Sequence, residues 1–148
     1  MKRERAWKSL MPILCLALMF ALLALHGSAR GRLQRTQHCF ARNQEALQTI
    51  AQQYDAGKRS GLESSALRGI ESVRALPESI VFVTEQTGLA PAGVITGFYY
   101  SPEDVPQPYE EGRALREENG IWQWQGRGDN HGFTTRICAN WFYFEASN

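Results

Sequence analysis

Phe133-Thr-Thr-Arg-Ile-Cys-Ala-Asn-Trp-Phe-Tyr-Phe144 is rich in aromatic and β-branched residues and reads as one long final strand. Successive side chains of a strand point to opposite faces, so Phe133, Thr135, Ile137, Ala139, Trp141 and Tyr143 share one face. Cys138 then points the other way, beside Arg136 and Asn140. Trp141-Phe-Tyr-Phe144 places large aromatics on both faces, so a single covering layer does not suffice. As the last element, such a strand at a sheet edge also invites strand addition by another chain.

Immediately before it stands Trp124-Gln-Gly-Arg-Gly-Asp-Asn-His-Gly-Phe133. Gly126, Gly128 and Gly132 punctuate this span, and Asp129 and Asn130 tolerate left-handed conformations, so it is first a hairpin connection. Two functional readings compete with the turn. Arg127-Gly128-Asp129 is a tripeptide that extracellular adhesion receptors read. Alternatively, His131 acts as a base, Asp129 as its orienting acid and Arg136 as an anion clamp. That constellation lacks a nucleophile: Thr134 and Thr135 are the nearby hydroxyls and fall on opposite faces. No Gly-x-Ser-x-Gly, His-Glu-x-x-His or phosphate-loop pattern occurs. His26, His38 and His131 show no paired spacing, so neither a metal site nor a cofactor is expected.

Further toward the N-terminus the chain continues as β structure. Ala114–Glu118 and Ile121–Gln125 flank Asn119-Gly120, the strongest short hairpin signal. Ser101–Gly112 contains three prolines and four acids and must be a surface loop. Val94–Tyr100 and Ser79–Thr84 are strands separated by a turn at Gly88–Gly93. Residues 62–76 fit either a short helix or an alternating strand, closed by Pro77.

Leu33, Phe40, Leu47 and Tyr54 recur every seven residues, with Ile50 and Ala51 widening the stripe, which predicts an amphipathic helix over 33–55. The fold expected is α+β: an N-terminal membrane helix, then this long amphipathic helix packed on a four- to five-stranded antiparallel meander.

The membrane helix is read from Leu10–Leu25, an apolar run preceded by Lys2, Arg3, Arg5 and Lys8. Residues 9–29 contain no acid, lysine or arginine. As a helix they reach about 30 Å, enough to span a bilayer. The domains expected are therefore 1–29, a basic tail and anchor or signal peptide, and 30–148, one α+β domain. A short N-terminal tail places residues 30–148 outside the cytoplasmic membrane. The alternative is a secreted protein cleaved before Arg30 at Gly27-Ser28-Ala29. Residues 1–59 carry ten basic and three acidic side chains, whereas 60–148 carry six and twelve. The positive half surrounds the apolar run, which suits a lipid bilayer, and the acidic half would repel a phosphate backbone. No nucleic-acid partner is expected.

Outside the cytoplasm Cys39 and Cys138 suggest a disulfide closing a loop of about 100 residues, stabilising by roughly 3–5 kcal/mol if unstrained. Against it stands Cys138's orientation: if the helix covers the Ile137 face, Cys138 reaches it only through a bulge. The second aromatic face needs either the 101–112 loop folded over it or a partner. An exposed strip of Trp122, Trp124, Trp141 and Tyr143 would stack on cell-wall glycan rings or form a protein interface, with Asp129 nearby. The function expected is a non-catalytic binding or assembly module on a single-pass anchor. The alternatives are a hydrolase or transferase using Asp129, His131 and Arg136, or a secreted adhesion ligand through Arg127-Gly128-Asp129.

Overall fold

The computed structural model of the chain describes residues 28–58, 60–61, 67–89 and 92–147. Among these residues two helices, α1 (Ala29–Arg42) and α2 (Gln44–Asp55), precede seven strands. These are β1 (Ser72–Ala75), β2 (Ile80–Leu89), β3 (Ala92–Tyr100), β4 (Arg116–Glu118), β5 (Ile121–Gln125), β6 (His131–Cys138) and β7 (Trp141–Ser147). They form one antiparallel sheet in the order β1-β2-β3-β7-β6-β5-β4. This corrects the expected long helix on a four- to five-stranded meander. Among the described residues no helix is long and apolar enough to cross a membrane. The apolar run 10–25 lies outside them. Arg35–Asn148 form a compact unit of their own. Ahead of it, Ser28 opens α1: its hydroxyl accepts from the Gly31 N–H at 3.1 Å and its carbonyl from the Arg32 N–H at 3.0 Å.

The stretch 133–144 holds two strands instead of one. The chain turns at Ala139-Asn140, and Asn140 adopts φ 65°. Asparagine enters this left-handed region at low cost. Its Nδ2 donates to the carbonyls of Ser101 and Pro102, both at 2.9 Å, and its N–H donates to Asp104 Oδ1 at 2.7 Å. Those partners lie more than thirty residues away, so no local signal announces the turn. β7 therefore doubles back and lies in the centre of the sheet, between β3 and β6, not at its edge. Two meanders, β1–β3 and β4–β7, meet along the β3–β7 seam.

The long helix also divides. Asn43 Nδ2 donates back to the Cys39 carbonyl at 2.8 Å and across to the Arg68 carbonyl at 3.0 Å, while Oδ1 accepts from the Arg68 N–H at 3.0 Å. A side chain that bonds backbone in this way competes with helix continuation. The break keeps the phase of the stripe, so Phe40, Leu47, Ala51 and Tyr54 still face one side. They pack on Ile80, Phe82, Phe98 and Trp141. Fully burying each such side chain stabilises by roughly 1.5–3 kcal/mol.

The opposite face of the sheet carries Val81, Val83, Tyr99, Phe142 and Phe144. Residues 101–115 cross it as a strap. Tyr109 stacks on Phe144 with centroids 4.9 Å apart. The Gln107 N–H donates to the Tyr99 hydroxyl oxygen at 2.7 Å. Thr134 Oγ1 gives its proton to the Tyr143 carbonyl at 2.7 Å, so in its 2.9 Å contact with Tyr99 the tyrosine is the donor. The result is a directed chain from strap to sheet. Both aromatic faces of β7 are thus covered, by helices and by strap, and Trp141–Ala146 are buried throughout. Gly97, next to the β2 bulge, allows this closeness: a Cβ there would meet the Phe82 carbonyl oxygen at 2.0 Å and the Phe144 ring at 2.8 Å.

Residues 67–76 resolve into a turn followed by β1, with Leu67 and Ile70 buried in the helix-side core. Asn119 and Gly120, at φ 54° and 77°, make the tight β4–β5 hairpin that their sequence predicts.

Candidate binding face and hairpin tip

The β5–β6 connection is a closed turn. The Gly126 N–H donates to the Asn130 carbonyl at 2.7 Å, and the Asn130 N–H reaches the Arg127 carbonyl at 3.4 Å. Gly128 takes φ 64°, which L side chains avoid. Arg127, Gly128 and Asp129 are all exposed at the tip. Neither the Arg127 nor the Asp129 side chain has a hydrogen-bond or ion-pair partner among the described residues.

The three candidate catalytic residues do not converge. His131 Nδ1 contacts the backbone carbonyl of Asp129 at 2.7 Å, not its carboxylate. Arg136 sits at the far end of β6, paired with Asp104 and lying over the Phe142 ring at 4.7 Å. The register sends these two side chains to opposite faces, with His131 opposite Ser147 and Arg136 opposite Phe142. The Asn140 N–H, and then Arg136, hold the Asp104 carboxyl below its ordinary value. The Arg136 cation is thereby engaged in fixing the strap.

Among the described residues, Cys39 and Cys138 are free thiols. Ile137 is skipped in the β6–β7 register, so Cys138 pairs with Trp141 and reaches the helix side through this bulge. There it lines a hollow with Phe40, Gln44 and Leu47. Cys39 turns elsewhere and donates to the carbonyls of Arg68 and Gly69 at 3.4 and 3.3 Å. The expected Cys39–Cys138 disulfide is accordingly corrected. Burial pushes both thiols above their ordinary value, which keeps them protonated at neutral pH.

The aromatic strip does not present itself to solvent. Trp124, Trp141 and Tyr143 are buried, and Trp122 is half-buried with its ring edge on Phe142 at 6.1 Å. Stacking on glycan rings needs open aromatic faces, which these residues lack.

A different surface is open. On the helix side of the sheet, Ile121, Gln123 and Gln125 of β5 are exposed, with Phe133 and Thr135 half-buried beside them. Ile121, 39% exposed, is one of only two exposed large hydrophobic side chains among the described residues. The neighbouring edge strand β4 is short and charged, Arg116-Glu117-Glu118, which discourages strand addition. Alternation in Ile121–Gln125 was enough to put these three side chains on one face. That this face lacks a cover depends on where the helices end, which the local pattern does not encode.

Comparison with known proteins found no matching family model, no matching curated protein and no matching solved structure.

Proposed function

We propose that the chain is a non-catalytic binding or assembly module, held at a membrane through the apolar run 10–25 with its sheet domain outside the cytoplasm. The observation that carries this reading is the open face of β5 and β6, an apolar centre of Ile121 and Phe133 rimmed by Gln123, Gln125 and Thr135. An apolar centre with a polar rim is the composition of a protein contact. Because the large aromatics are occupied by helices and strap, a protein partner fits better than a glycan.

The test is a photo-crosslinking side chain placed at Gln123 in the full chain, in its own membrane, with the same probe at Gln52 on the exposed side of α2 as control. A discrete adduct from position 123, missing from 52 and lost on Ile121→Asp, is expected. Equal adducts from both positions, or none from either, would count against a contact at this face.

A second reading has its own support. The exposed Arg127-Gly128-Asp129 tip, with Gly128 at the turn, presents a cation and an anion as an adhesion ligand requires. Cell attachment to the purified chain that is abolished by Asp129→Glu would favour it. Attachment indifferent to that change would remove it.

A further inference from the structure

The β1–β2 turn and the strap face each other across a cleft of about 290 Å³. Leu76 and Pro77 line one wall and Pro108 the other, with Glu78 and Glu111 at the mouth. The Leu76 N–H closes the turn on the Ser79 carbonyl at 2.8 Å, and Gln107 Nε2 donates across the gap to the Glu78 carbonyl at 3.3 Å. Beneath lies a chamber of about 20 Å³ above Tyr99 and Phe144. Ser79 lines both spaces and is 1% exposed. Its hydroxyl makes no hydrogen bond among the described residues. It is therefore a polar group at the floor of the cleft that is free to accept a hydrogen bond. The Glu78 and Glu111 carboxylates are exposed and pair with no cation among the described residues.

We propose that this cleft receives the side chain of an arginine or lysine from a basic segment of a partner protein. Such a side chain has an apolar stem, which suits Leu76 and the two prolines, and a head that only donates hydrogen bonds. The cleft supplies the acceptors such a head needs: two unpaired carboxylates and the Ser79 hydroxyl oxygen. This contact lies apart from the β5 face and stands or falls independently of it.

The full chain, isotope-labelled in detergent micelles, is titrated with Nα-acetyl-arginine amide and Nα-acetyl-lysine amide. Nα-acetyl-citrulline amide, nearly the same shape as the arginine probe without its charge, is the control. Saturable shifts of the Ser79, Gln107 and Gly112 amides with at least one cationic probe are expected, with none from citrulline. Affinity should fall by about fivefold or more in Glu78→Gln/Glu111→Gln. These exposed positions tolerate the exchange, so unchanged dispersion elsewhere in the spectrum verifies the fold. No saturable shift with either cation, equal binding of citrulline, or a double variant that binds as well as the parent would overturn the proposal. So would shifts at the same amides driven by protein concentration alone, because the occupant would then be a second copy.

Discussion

Single polar side chains hold this fold at its joints. Asn43 is 6% exposed and bonds three backbone groups on two segments. Asn43→Ala leaves the Arg68 N–H and two carbonyls short of a partner, and we expect a loss of about 1–3 kcal/mol in chemical denaturation. A variant as stable as the parent would show that the α1–α2 break needs no such anchor. Tyr99 gives the molecule an alkaline limit. Burial, opposed by the Thr134 and Gln107 hydrogen bonds, pushes its hydroxyl up to about 12. Tyr100 is likewise raised to about 12, by burial and then by Asp55, whose carboxylate accepts its proton at 2.8 Å. A group whose folded-state value lies above its unfolded value of about 10 contributes fully below pH 10. That contribution is lost as pH rises toward 12. Stability should therefore decline between pH 10 and 12, with the ultraviolet signal of both phenolates delayed to the same range. Ionisation of both near pH 10 in the folded protein would contradict the burial of Tyr99. Asp104 works in the opposite direction: its lowered value means that its contribution is present above the ordinary carboxylate range and lost as pH falls below it.

At the scale of elements, the features legible in the sequence are ones with a local cause, and those that depend on distant partners are not. Asn119-Gly120 carries its turn in its own conformational preferences, so the β4–β5 hairpin was visible. The Phe40–Leu47–Tyr54 stripe was visible because burial follows helical phase, and the phase survives the break. Ala139-Asn140 was not visible, because its turn is secured by Ser101, Pro102 and Asp104 from another part of the chain. The same holds for the Ile137 bulge, which reverses the orientation that simple alternation assigns to Cys138. Asn140 separates the two causes experimentally. Asn140→Gly keeps the left-handed backbone and loses the side-chain bonds, while Asn140→Ala loses both. We expect both to destabilise, and alanine to cost about 1 kcal/mol more. Equal losses in thermal unfolding would mean that the backbone conformation contributes nothing.

The whole molecule is organised around its last strand. β7 can be central because two different covers, helices and strap, satisfy its two aromatic faces. The helix cover ends before β5, and that boundary leaves Ile121 exposed and Phe133 half-buried. Of the candidate site, the sequence showed the hairpin tip and its three exposed residues. It misplaced the aromatics, since exposure of Trp124, Trp141 and Tyr143 is decided by layers contributed from residues 35–55 and 101–115. Hydroxyl-radical footprinting of the full chain, in the membranes of the producing cell and after purification, compares these surfaces directly. Val105 on the strap, 51% exposed, serves as the internal reference. Ile121 and Phe133 should be labelled less in the membrane than after purification while Val105 is labelled equally in both. Unchanged labelling of Ile121 and Phe133 would contradict a contact on the β5 face.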